Sequence, residues 1–168
     1  SSYPPNYYYD RSGGQEFLRQ FDQIYTFHDI FGENVHRDFP FLTWWINSNH
    51  GSVFGDSERD YPWLLTANPP EKTRELSVFC SDTSFTPFHR LRLRLVSELK
   101  NHFGNRLEWF GNGIHPIEQK WEGLAPFKYT IAIENQQLPL LVSEKLYDPF
   151  LTFTFPFYIG APEASEIF

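Results

Sequence analysis

Residues 127–162 read FKYTIAIENQQLPLLVSEKLYDPFLTFTFPFYIGAP, and the reading of this stretch decides the fold. Phe127–Ile133 is a largely apolar stretch of strand length that stops abruptly at Glu134 and Asn135. A loop follows, and Ser143 then stands where a helix N-cap belongs. The spacing predicts a helix over 143–153 and a further strand over Phe155–Ile159, ended by Gly160. A strand, a crossover helix and a second strand make a parallel unit.

Working upstream, the pattern repeats. Leu107–Phe110 reads as a short strand closed by Gly111, Asn112 and Gly113, and Pro116 opens a short helix over 116–121. Residues 88–103 read as a helix, because Leu91, Leu95, Leu99 and Phe103 recur every four positions among charged residues. Residues 76–80 read as a buried strand. The order β-α-β-α-β-α-β predicts an α/β fold with a Rossmann-like parallel sheet and right-handed crossovers in the second half. Such sheets bind ligands beyond the carboxyl ends of their strands.

The chain changes character at Asn68, Pro69, Pro70 and Glu71. A linker is therefore expected at 68–72, between one domain over 1–67 and another over 73–168. The first part is less regular. It offers Tyr7, Tyr8 and Tyr9, a short helix at 15–20, strand-like alternation over 21–27, an apolar run over 39–46 with Trp44 and Trp45, and a polar loop over 51–60. The absence of Met and the abrupt end at Phe168 lead us to expect a fragment of a larger protein, cut at both ends.

Composition narrows the function. Of 168 residues, 19% are aromatic, which is ample material for a packed core. The net charge of -7 argues against nucleic acid as a partner, while leaving room for a local basic pocket. No apolar run approaches the roughly 20 residues that span a bilayer. The single cysteine, Cys80, excludes an internal disulfide and reads as a buried thiol. The six histidines show no ligand-like spacing, so no metal site is expected.

The chemistry concentrates at 133–145. A helix N-terminus presents unpaired N–H groups and a positive dipole end, and anions bind there. Lys145 in the first turn opposes that dipole, and a phosphate between it and the helix end would account for its place. Glu144 is placed to accept hydrogen bonds from sugar hydroxyls. On the residues alone, a solvated helix start at Glu144 and Lys145, with Asn135 a turn residue, fits equally well.

The segment resembles the donor-binding signature of the α1,3/α1,4-fucosyltransferases, glycosyltransferase family ten. The matches are Lys128, Tyr129, Glu134, Asn135, Ser143, Glu144, Lys145, Leu146, Pro156, Tyr158 and Gly160. Upstream, Ser81 and the run HRLRLRLVSEL over 89–99 are similar to the family's Ser strand and Arg-bearing helix, with Arg92 at the place of its phosphate-binding arginine. The run GNGIHPIEQKWEGLAPFKY over 111–129 continues the likeness, and residues 21–31 are similar to the end of the family's acceptor domain. Leu141 stands where the family has an aromatic, Gln136 replaces a small hydroxyl residue, and Pro149 falls inside the expected helix. An interior proline costs about 3 kcal/mol, so a kink or an early stop is expected there.

The resemblance implies a two-domain GT-B-like enzyme, with 1–67 the last part of the acceptor-side domain and 73–168 a truncated donor-binding domain. It implies inverting transfer of L-fucose from GDP-fucose to a glycan hydroxyl. Arg92, Asn135, Ser143, Glu144, Lys145 and Tyr158 would contact the donor, and Glu144 would touch the sugar in the transition state. Arg92 and Lys145 would offset the charge of the departing GDP without a metal cofactor. The general base would lie upstream of Ser1. A bacterial enzyme of this kind would be cytoplasmic or peripheral at the inner membrane face, a eukaryotic one in the Golgi. Another nucleotide sugar, a non-catalytic nucleotide-sugar-binding module, and a purely structural α/β domain are the rivals. The last requires Arg92, Asn135 and Lys145 to point apart.

Other candidates have plainer readings. Asp56, Glu58 and Asp60 read as a solvated acidic loop. His89 is a candidate for capping the arginine helix, Arg90 and Arg94 face solvent, and Trp44 and Trp45 serve core packing ahead of an acceptor sugar site.

Overall fold

Parallel strands rich in β-branched and aromatic residues, with helices between them, form the main body of the chain. The computed structural model describes residues 14–28, 30, 32–38, 44–47 and 59–166. The expected features at Tyr7–Tyr9, Asp56 and Glu58, and most of the apolar run at 39–46, lie outside the described residues. The chain divides into two compact units: residues 1–41, 138–142 and 161–168 form one, and residues 42–137 and 143–160 the other.

In the smaller unit, helix α1 (Gly14–Leu18) precedes a two-stranded parallel pair, β1 (Ile24–Thr26) and β2 (Val35–Arg37). Asn34 staples this piece together, its side-chain amide donating to the carbonyls of Leu18 and Phe21.

The larger unit holds helix α2 (Tyr61–Thr66), strand β3 (Arg74–Phe79), helix α3 (Pro87–Phe103), β4 (Leu107–Phe110), helix α4 (Lys120–Leu124), β5 (Phe127–Ile133), helix α5 (Glu144–Leu151) and β6 (Phe155–Ile159). The strands form one parallel sheet in the order β4-β3-β5-β6. The core lies between this sheet and α3, where Leu76, Val78, Cys80, Leu107, Ile131 and Ile133 meet Val96, Leu95, Leu99 and Phe103.

Three expectations need correction. Leu91 does not belong to the inward stripe of α3, being 57% exposed, while Arg92 and Val96 are buried in its place. The helix expected over 116–121 begins only at Lys120, because Gly111 and His115 bridge in a tight turn and Gln119 is still extended. The proposed 68–72 linker runs within the larger unit. Lys72 fixes it there, its ammonium donating to the Ala125 carbonyl (2.7 Å), the Thr152 carbonyl (2.8 Å) and the Thr154 hydroxyl (3.0 Å). Helix α2 went unread in the sequence, although Asp60 caps it and Pro62 sits in its first turn.

Pro149 does stop its helix early. α5 ends at Leu151, and Phe153 follows with φ 56, while the Thr154 amide bonds the Pro149 carbonyl at 2.8 Å. Among the described residues, no helix is long and apolar enough to cross a membrane.

Candidate functional site

The sheet order sets where a ligand site belongs. From β3 the chain crosses to β4 on one side and later returns to β5 on the other, so the connections diverge at the carboxyl ends of β3 and β5. Ligands bind parallel sheets at such a switch point. Cys80 follows β3 there, Glu134 and Asn135 follow β5, and α3 supplies Arg92.

A reciprocal capping box places α3. Thr86 accepts the His89 amide at 3.1 Å, and the His89 ring accepts the Thr86 amide. Arg90 and Arg94 face solvent, as the sequence implies. Arg92 turns inward with 4% exposure and donates to the Asn135 side-chain oxygen. Its Nε is buried and has no hydrogen-bond partner among the described residues. Burial raises the Cys80 thiol pKa, and the adjacent Arg92 guanidinium offsets only part of the rise. Cys80 is thus a structural thiol, as expected.

The second half of the site is built on the buried Glu134. Its carboxylate accepts the Ser143 amide at 2.7 Å, the Ser143 hydroxyl at 2.6 Å and the Tyr158 hydroxyl at 3.2 Å. Gly160 is required beside it, because a Cβ there would lie 2.6 Å from Glu134 Cγ and collide with the Tyr158 hydroxyl. Ser143 also caps α5 by accepting the Lys145 amide. The Lys145 ammonium lies 3.3 Å from Ser143 Oγ, 3.1 Å from Glu144 and 3.8 Å from Glu134.

The expected donor residues fall into two groups: Ser143, Lys145 and Tyr158 meet at Glu134 with Glu144 paired to Lys145, and Arg92 bonds Asn135, the next residue in sequence.

Sequence reasoning missed two members, Lys120 and Asp148. Lys120 Nζ lies 2.9 Å from Asp148 Oδ2 and 3.5 Å from Glu144 Oε1, while Asp148 Oδ1 accepts the Trp45 amide at 2.8 Å. Burial pushes Asp148 up, and Lys120 with the Trp45 amide pulls it only part of the way back. Burial also works on Glu144, but there Lys145 and Lys120 prevail and hold the carboxyl below its usual range. The spacing of Glu144 and Asp148 by four residues on one helix was the available signal. Trp44 and Trp45 are 36% and 37% exposed, so neither is a core residue; Ile46 is buried instead. Among the described residues, no group of three or more His, Cys, Asp or Glu side chains could hold a metal ion.

No family model and no curated protein matches the chain. Solved structures do. A crystal structure of α1,3-fucosyltransferase with GDP matches with a TM-score of 0.55 at 20% identity, over 87% of this chain and 49% of that one. One of α1,3-fucosyltransferase with GDP-fucose matches with a TM-score of 0.54 at 17% identity, over 99% of this chain and 52% of that one. At these identities the likeness is one of fold: mixed α/β with parallel sheets, of the GT-B-like glycosyltransferase kind. The chain spans about half the length of those structures.

Proposed function

We propose that this chain carries the donor-binding part of an inverting glycosyltransferase that moves L-fucose from GDP-fucose to a glycan hydroxyl. The observation that carries the reading is Arg92. A buried guanidinium, held by an asparagine at the switch point, keeps an Nε with no acceptor among the described residues, and an anion would supply one. An unsatisfied buried donor costs about 1–3 kcal/mol, and a phosphate oxygen would relieve it. The start of α5 with Lys145 suits a second phosphate oxygen.

In this reading, Arg92 and Lys145 stabilise the charge that gathers on the departing diphosphate. Those two cations supply what a metal would otherwise provide. Glu144 lies beside Lys145 and accepts sugar hydroxyls or faces the oxocarbenium-like sugar. Glu134 organises the site, holding Ser143 and Tyr158 in place. The fold likeness to α1,3-fucosyltransferase structures with GDP and GDP-fucose supports the donor class, and the residue pattern around Asn135 and Lys145 supports the sugar.

Titration with GDP-fucose and GDP-mannose tests the proposal. GDP-fucose should bind more tightly, and Arg92→Met should weaken both by about tenfold or more, the loss of a charge-assisted contact of about 1.5–3 kcal/mol. Equal affinity for the two donors removes the fucose assignment. Binding of neither removes the donor site.

A further inference from the structure

A buried lysine on α4 is the part of the cluster that the donor-site reading leaves without a task. We propose that Lys120, anchored on Asp148, is a positioning residue that fixes Glu144 for contact with the sugar of the donor. This rests on the donor site proposed above and extends it to a residue outside the signature.

The geometry is specific. Glu144 and Asp148 stand one helical turn apart on α5 and so share a face. Lys120 Nζ reaches both, 2.9 Å from Asp148 Oδ2 and 3.5 Å from Glu144 Oε1. Asp148 is 1% exposed, and Lys120 is buried as well. A buried cation persists only where carboxylates compensate it, so neither group can shift without exposing an unpaired charge.

The anchor is itself held from a third direction. Asp148 Oδ1 takes the Trp45 amide at 2.8 Å, and the Ile46 carbonyl takes the amide of Trp121, the neighbour of Lys120, at 2.8 Å. Residues 45–46 thus tie α4 to α5 through two backbone groups. Within this frame Lys120 and Lys145 both approach Glu144 at Oε1, at 3.5 and 3.1 Å. Two lysines thus hold the carboxylate from the same oxygen, and the Glu144 amide bonds the carboxylate as well. A residue held this way is pre-organised, which is what orientation of a reacting sugar requires.

The test separates sugar from diphosphate. GDP and GDP-fucose are titrated against the full chain as wild type, Lys120→Met, Lys120→Arg and Asp148→Asn. Lys120→Met should weaken GDP-fucose about tenfold while changing GDP less than twofold, and Lys120→Arg should recover most of the loss. Asp148→Asn keeps an acceptor for the Trp45 amide and should show the same selective loss, even where Lys120→Met does not fold. A parallel loss of both ligands, or of neither, overturns the positioning role while the donor site stands. Wild-type protein that binds no GDP overturns the donor site itself.

Discussion

Glu144 has two lysines within hydrogen-bonding or ion-pair range, and its titration should report them. Its carboxyl is held below the ordinary 4.5 in the folded chain, since Lys145 and Lys120 outweigh burial. The stability it contributes is therefore complete above about pH 4.5 and is lost as pH falls through the lower folded value. Asp148 works with the opposite sign. Burial holds it above 3.8, so its contribution is present below 3.8 and declines as pH rises through its folded value. In the Asp148→Asn background, Glu144→Gln should flatten the acid limb of unfolding midpoints measured from about pH 3 to 6. A limb of unchanged steepness would mean that the lysines do not hold Glu144. At this scale the sequence was readable where chemistry is local. Ser143, Glu144 and Lys145 are consecutive, and one helix start sets all three side chains. Lys120 is separated by 24 positions from Glu144 and by 28 from Asp148, so only the folded sheet makes them neighbours.

Helix α3 shows why an element can be found correctly and oriented wrongly. A step of four residues advances about 40° beyond a full turn, so three steps carry Leu91 about 120° away from Phe103. The four-residue repeat is real, but it is a line that winds off the core. The buried face follows the mixed three- and four-residue spacing of Arg92, Leu95, Val96, Leu99 and Phe103. Identical substitutions should expose the difference. Leu95→Ala should destabilise by about 2 kcal/mol, whereas Leu91→Ala should stay within about 0.5 kcal/mol. Denaturant unfolding of the two variants decides it, and equal losses would place Leu91 in the core. The same turn of the helix brings the charged Arg92 inward, which periodicity of apolar residues alone does not anticipate. The strands were easier to read. Short, largely apolar stretches bounded by Gly or polar residues, as in Leu107–Phe110, Phe127–Ile133 and Phe155–Ile159, leave little freedom in their limits.

For the whole molecule, the alternation of strands and helices made the parallel sheet legible, but the division of the chain was not. Two prolines after Asn68 look like a linker in any sequence. What overrides them is Lys72, whose three acceptors lie 53, 80 and 82 positions downstream and meet only once the sheet has formed. The segment 68–72 is consequently part of the larger unit. Lys72→Met should lower stability by about 1–3 kcal/mol, because the Ala125 and Thr152 carbonyls and the Thr154 hydroxyl lose their common donor. The dependence on pH gives a second check. Burial lowers the Lys72 amine to about 8, against an ordinary 10.5. The unfolded chain therefore keeps this proton to higher pH, and Lys72 contributes more to stability as pH rises from about 8 towards 10.5. The gap in unfolding midpoint between wild type and Lys72→Met should widen over that window. A linker that merely joined two domains would show neither the loss nor the widening, since its lysine would be solvated in both states and would titrate alike in each.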